Sequence, residues 1–255
     1  MIKEMLGKQL LFFDGAIGTK LHEAGLSASD IPETWNITHS DIVRDIHLQY
    51  LVAGSDIITT NTFGCNTMNF RNKGYKVEEI VTGAVANAKA AVSTYVDTYV
   101  ATYVETSTAS KKRFIALNIG PTGKLLKPLG DLHFEKAVEL FKETIITGAK
   151  AGADLILIET MSDAYELKAA VIAAKENCDL PIIASVTLDE KGKMLTGGTV
   201  DVVVALLEGL GVDAIGFNCG LGPEQLSPYI NQALKISSVP LLFMPNAGLP
   251  AILMA

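Results

Sequence analysis

Apolar residues in this chain fall into short unbroken runs, and most of the runs are separated by stretches whose apolar positions recur at helical spacing. The runs at 10–13, 56–60, 114–119, 155–159, 181–188, 214–218 and 240–244 predict seven strands. Their continuous apolar character suits parallel strands buried on both faces. Between them, 41–53, 77–91, 134–151, 163–177, 200–210 and 223–236 predict helices. In 41–53, Ile42, Ile46, Leu48, Tyr50 and Leu51 give an apolar face and Asp41 can cap the start. Strands alternating with helices over the whole length indicate an α/β protein with a parallel sheet. No dinucleotide fingerprint is present, so the alternation favours a (β/α)8 TIM barrel over a doubly wound sheet. Such a barrel has eight strands and seven are found. The expectation is therefore one barrel domain over 1–255, incomplete by its last β/α unit. Its gap exposes two strand edges that another segment or chain could close.

Composition agrees. The length of 255 residues is that of one such barrel, which runs to about 250 residues. Hydrophobic residues at 49%, charged residues at 19% and 22 glycines suit buried parallel strands. The net charge is −7 and no block of Lys and Arg stands out, which argues against a nucleic-acid partner. No apolar run approaches the roughly 20 residues that cross a bilayer, and the N-terminus lacks a secretory apolar region and cleavage site. Neither a membrane partner nor export is expected. The three cysteines, Cys65, Cys178 and Cys219, are odd in number and far apart, so a reducing cytoplasm without a disulfide framework is expected. Three tandem tetrapeptides, Tyr-Val-Asp-Thr, Tyr-Val-Ala-Thr and Tyr-Val-Glu-Thr, occupy 95–106. On a helix the tyrosines would form an i, i+4 stripe, while Val and Thr equally permit β structure. An extended helix end or a loop insertion is the expected reading, ahead of a binding surface.

Polar and thiol groups gather where the strands end, which is where a (β/α) barrel carries its site. Cys219 follows a strand and precedes Gly-Leu-Gly-Pro, a turn that opens a helix. A thiol near a helix N-terminus is expected to have a lowered pKa and to serve as ligand or nucleophile. The alternative is a buried, inert cysteine. Cys178 and Cys65 read as packing residues. Asp14 and Glu159 end the first and fourth strands and can grip an ammonium group or act as acid and base, or else cap and tie loops. Gly15, Gly18 and Thr19 form a turn whose N–H groups could hold a carboxylate. Asn61, Asn118, Asn218 and Asn246 also stand at strand ends, suited to orienting a polar ligand or to joining loops. No strand ends in lysine, which argues against Schiff-base chemistry. Residues 120–124 lack the P-loop spacing, and His22, His39, His47 and His133 lack a zinc-protease arrangement. His47 lies within a predicted helix as a surface or core residue.

As a set, these segments resemble the homocysteine S-methyltransferase family, and most closely the homocysteine-binding module at the N-terminus of its cobalamin-dependent members. The matching stretches are Phe-Asp-Gly-Ala-Ile-Gly-Thr (13–19), Pro-Glu-Thr-Trp-Asn (32–36), 54–64, Ile-Gly-Pro-Thr-Gly (119–123), Glu-Thr-Met-Ser-Asp (159–163), Asn-Cys-Gly-Leu-Gly-Pro (218–223) and Pro-Asn-Ala-Gly (245–248), in family order. The resemblance implies a barrel that binds zinc through three cysteines. One matches Cys219; the other two lie in a Gly-Gly-Cys-Cys-Gly motif that this sequence lacks. It implies that Asp14, Gly15, Thr62 and Glu159 help hold the amino and carboxylate groups of homocysteine, with Asn218 and Asn246 near the site. It implies methyl transfer to a zinc-activated homocysteine thiolate, the methyl arriving on methylcobalamin supplied by other domains or on a small donor. The sequence thus reads as a C-terminally truncated member, with impaired turnover expected for the isolated chain. Two other readings stay open: a thiol-amino-acid binding remnant or partner-completed module without its own zinc site, and an unrelated barrel enzyme using Asp14 and Glu159 as acid and base.

Overall fold

The computed structural model describes residues 2–70, 73–100 and 112–247. Along the chain run α1 (Ile2–Met5), α2 (Ile17–Glu23), α3 (Trp35–Thr38), α4 (Ser40–Ala53), β1 (Ile57–Thr59), α5 (Thr67–Phe70) and α6 (Val77–Tyr95). Then follow β2 (Phe114–Ile119), α7 (Phe134–Ala151), β3 (Leu155–Met161), α8 (Ala164–Asn177), β4 (Ile182–Val186), α9 (Val200–Gly209), β5 (Ala214–Asn218), α10 (Pro223–Ile236) and β6 (Leu241–Met244). The strands form one parallel sheet in sequential order, a barrel left incomplete among the described residues. No described helix is long and apolar enough to cross a membrane.

The expected first strand, 10–13, is reduced to a single parallel bridge between Phe13 and Ile57. The N–H groups of Asp56 and Ile57 donate to the Phe12 carbonyl at 2.8 and 3.1 Å, and that of Asp14 to Ile57 at 2.9 Å. Leu10 and Phe12 remain 76% and 57% exposed, so one-sided pairing without burial holds only a short ladder. The expected cap also shifts: His39 is the N-cap of α4, and Asp41 sits in its first turn without capping it. Asp163, by contrast, caps α8, its Oδ1 accepting from the Tyr165 N–H at 3.0 Å. Helix α6 outruns its expected end at 91 and passes into a π-helical turn over Val96–Val100. Tyr95 and Tyr99 of the repeat stack with centroids 6.0 Å apart. Residues 101–106 of the repeat lie outside the described residues.

Side chains alternate across the sheet, as strand geometry requires. Leu117, Ile119, Ile156, Ile158, Ile182, Ala184, Val186, Ile215 and Phe217 face the helices in the large core. Phe114, Ala116, Leu155, Leu157, Ile183 and Ala214 face the concave side, where Ile2 of α1 joins them. This inner cluster fills the end of the barrel at which the strands begin. One more step of two along the same face reaches Asn118, Glu159 and Ser185, and two steps past Ala214, beyond Gly216, reach Asn218, so the apolar plug gives way to a polar layer.

In α4, His47 is fully buried and neither ring nitrogen has a hydrogen-bond partner. Burial pushes its pKa down to about 4. The unfolded chain takes up the proton near pH 6.5, the folded chain only near 4. The neutral ring's stability contribution is therefore whole above pH about 6.5 and shrinks as pH falls toward 4. Urea unfolding of the wild type and His47→Leu should show the wild type losing about 2 kcal/mol relative to the variant between pH 7.5 and 5. Parallel pH dependence in the two proteins would show that His47 is not a source of acid sensitivity.

Candidate functional site

The polar layer is built from one residue of each of the first five strands. Thr59 comes from β1, Asn118 from β2, Glu159 from β3, Ser185 from β4 and Asn218 from β5. Asp14 joins them from the bridged N-terminal segment. Its Oδ2 accepts from the Thr59 N–H at 2.7 Å and the Thr59 hydroxyl at 3.2 Å. Burial pushes the Asp14 carboxyl up to about 8; the two Thr59 donors pull it down, and the charge of Glu159 adds to the rise. Glu159 is raised by burial as well, with the Asn118 amide opposing the shift. Two carboxyls that feel each other's charge in one partly desolvated mouth form an acceptor for a cation. Tyr50 closes in beside them. A Cβ at Gly15 would stand 2.9 Å from its hydroxyl, so glycine is what lets the backbone pass.

The sulfur end lies on β3 and β5. The Asn218 amide is 2% exposed and fully engaged. Its Oδ1 accepts from the Thr160 N–H at 3.0 Å and from the Ser185 hydroxyl. Its Nδ2 donates to Thr160 Oγ1 at 2.8 Å and to Cys219 Sγ at 3.3 Å. Thr160 Oγ1 lies 3.9 Å from the same sulfur. Thr160 and Cys219 have φ of 60° and 55°, the two non-glycine residues with positive φ among those described. That conformation costs about 1–2 kcal/mol per residue, and strain of this kind collects at functional sites. Cys219 is half-buried, and its thiol is raised, not lowered as the sequence led one to expect. Burial is the largest cause and Glu159 adds to it, outweighing the hydrogen bonds from Thr160 and Asn218.

The remaining expected residues divide. Thr62 is 1% exposed and its hydroxyl donates to the Asn118 carbonyl at 2.7 Å, so it fastens β1's loop to β2. Asn61 also joins loops, its Nδ2 donating to the Pro32 carbonyl at 2.8 Å. Asn246 is half-buried and ties the segment after β6 to the loop after β5 through its N–H and the Leu221 carbonyl, 3.0 Å apart. Gly15 is exposed beside Asp14, ahead of α2. Cys65 is buried in the helix-side core and Cys178 ends α8, where the chain turns back to begin β4. Both behave as packing residues. No three His, Cys, Asp or Glu side chains converge to hold a metal among the described residues. Cys219 is the single thiol in the polar layer, so the residues present do not by themselves fit a three-thiolate zinc site. Thr59, Thr160 and Ser185 went unnoticed in the sequence. Thr59 and Ser185 are polar residues inside otherwise apolar strand runs, and that interruption could have flagged them; nothing in the sequence signals the reversed backbone at Thr160.

Removing the Asn218 amide leaves the fully buried Ser185 hydroxyl and the Thr160 N–H without a partner. Asn218→Ala is expected to lose about 2–4 kcal/mol in urea unfolding, from about 1–3 kcal/mol for each group left unpaired. A loss below 0.5 kcal/mol, on the order of an ordinary surface change, would mean that water replaces the amide and that the network is dispensable.

The fold and mouth can now be compared with known proteins. A family model described as Homocysteine S-methyltransferase matches residues 11–254. Methionine synthase of Mycobacterium leprae (strain TN) is 32% identical over 262 residues, covering 98% of this chain and 21% of that protein. Methionine synthase of Mycobacterium tuberculosis (strain ATCC 25618 / H37Rv) gives the same figures, so the chain spans about a fifth of the length of the curated relatives it matches. Among solved structures, the homocysteine methyltransferase MmuM from Escherichia coli, in its metallated form, superposes with a TM-score of 0.81 at 24% identity, covering 97% of this chain and 87% of that one. This last likeness speaks for the fold. The family model spans nearly the whole chain, and the chain belongs to the homocysteine S-methyltransferase family.

Proposed function

We propose that this chain binds homocysteine in the barrel mouth and presents its sulfur to a methyl donor, the product being methionine. The observation that carries the reading is the placement of two coupled carboxyls, Asp14 and Glu159, in the same polar layer as the Cys219 thiol. A short amino acid with a terminal thiol has its ammonium and its sulfur at opposite ends, and the layer offers a group suited to each. The carboxyls take the ammonium. Asn118 holds Glu159 toward its charged form, and the Thr59 donors do so for Asp14. Near neutrality the empty site keeps a proton on Asp14, and an arriving ammonium displaces it. In the transfer itself the substrate sulfur forms a bond to the methyl carbon, the bond from that carbon to its donor breaks, and the thiol proton leaves.

That proton is the difficulty. Burial raises the Cys219 thiol, and the same surroundings disfavour a substrate thiolate. Zinc held by thiolates supplies that activation when bound, and the described residues offer one such donor, Cys219. Binding and orientation are what this chain's own residues provide. Two further thiolates, and methylcobalamin where that is the donor, would come from another domain or chain, in keeping with relatives about five times longer. A reducing cytoplasm suits a site centred on a free thiol. The single thiolate donor equally favours a second reading, a thiol-amino-acid binding module that performs no transfer.

Calorimetry with L-homocysteine and with 4-mercaptobutanoate, which lacks the amino group, tests the binding. Homocysteine should bind, and the analogue should bind at least tenfold more weakly. Because the raised Asp14 carboxyl must lose its proton to receive an ammonium, affinity should grow with pH and level off near 8, by roughly fifty-fold from pH 6. Asp14→Asn should abolish that slope. Equal affinity for the two ligands would refute the reading. Methyl transfer should appear on adding a chain that carries the missing thiolates and the donor; its absence with binding intact selects the second reading.

A further inference from the structure

Successive residues of a strand point to opposite faces. Glu159 and Asn218 lie on the concave face, so Thr160 and Cys219 in regular β conformation would point away from the mouth toward the helices. They do not. With φ of 60° and 55° the backbone reverses at both residues, and both side chains reach the Asn218 amide. The register between β3 and β4 shifts between Ile158 and Met161, so the reversal at Thr160 is built into the sheet and not confined to a loop. β3 and β5 are not neighbours; β4 lies between them. Asn218 nonetheless spans that gap through two reciprocal bonds with Thr160, donating to its hydroxyl at 2.8 Å and accepting from its N–H at 3.0 Å. A β-branched residue is a poor occupant of left-handed backbone, so a glycine would suit the conformation better. What threonine adds at this position is a hydroxyl beside Cys219 Sγ, 3.9 Å away.

We propose that Thr160 is a positioning residue for Cys219: its left-handed backbone and its hydroxyl, clamped by Asn218, hold the sulfur at the mouth. The role of the sulfur itself rests on the function proposed above, but its placement does not. Thr160→Gly removes the hydroxyl and fits the backbone. Thr160→Val removes the hydroxyl and keeps the branch, and Thr160→Ser keeps the hydroxyl.

The test uses the full chain in a Cys178→Ser background, since Cys65 is buried and Cys178 only half so. Alkylation of Cys219 by iodoacetamide is followed by intact mass over a range of pH and compared as the limiting rate of the thiolate, with thermal melting as a check on folding. A clamped sulfur reacts slowly and a released one quickly. Thr160→Gly and Thr160→Val should therefore react at least fivefold faster than the parent, and Thr160→Ser within twofold of it. Rates within twofold for all three would overturn the proposal, because a purely structural threonine would change melting and leave the thiol's reactivity alone. If Thr160→Val unfolds, Thr160→Gly still decides. In methyl transfer with the completing chain, Thr160→Gly should lower kcat about tenfold at little-changed KM, and unchanged kcat would overturn the link to catalysis. Failure of the parent to bind homocysteine, with the alkylation order intact, would refute the functional reading and leave the positioning role standing.

Discussion

A parallel strand shows every second residue to the concave side of its sheet, and the organisation of this protein follows from that constraint. Phe114, Ala116, Leu155, Leu157, Ile183 and Ala214 occupy the lower steps of the inner face and make an apolar plug. The next step is Asn118, Glu159 and Ser185 on β2, β3 and β4, and on β5, after Gly216, it is Asn218. Polar groups at that depth lose contact with water and need partners, and most have them: Ser185 donates to Asn218, and Thr59 donates to Asp14. Asn118 is the partial exception, since its Oδ1 is buried without a donor although its amide serves Glu159. Gly216 belongs to the same arrangement. A Cβ there would stand 2.4 Å from that of Ser185, so a larger residue would crowd the polar layer from below.

The architecture was legible because buried parallel strands read as unbroken apolar runs. The runs ending at Ile119 and Asn218 match β2 and β5 to the residue. The segment 10–13 misled for a physical reason: apolar sequence marks the capacity to pair, while a regular strand also needs burial or a second neighbour, and Leu10 and Phe12 have little of either. In the site, residue type pointed to Asp14, Glu159, Asn218 and Cys219, which the fold gathers at the ends of its strands. It also pointed to Thr62, whose hydroxyl donates to a backbone carbonyl within the fold. It misjudged the state of the Cys219 thiol, since proximity to a helix N-terminus was considered without the larger effect of burial. Which way the backbone turns after Glu159 is set by tertiary packing, so Thr160 left no trace in the sequence.

The two ends of the mouth are built on different footings. The carboxyl end draws on the N-terminal segment and β1 to β3, and β1 and β2 are packed on both faces. The sulfur end draws on β5, and the N–H of Cys219 donates to the Met244 carbonyl of β6 at 3.1 Å. Strand β6 is only half-buried, with Phe243 42% exposed, and borders no further strand among the described residues. On the proposed reading, a group that completed a site around Cys219 has the open edge of β6 beside it. It would meet a sulfur already aimed at the mouth by two strained residues and a saturated amide. Substrate grip and sulfur placement are thus separable properties of this chain. On the proposed reading, the first depends on the carboxyls of Asp14 and Glu159, which burial raises. The second depends on the backbone geometry of Thr160 and Cys219.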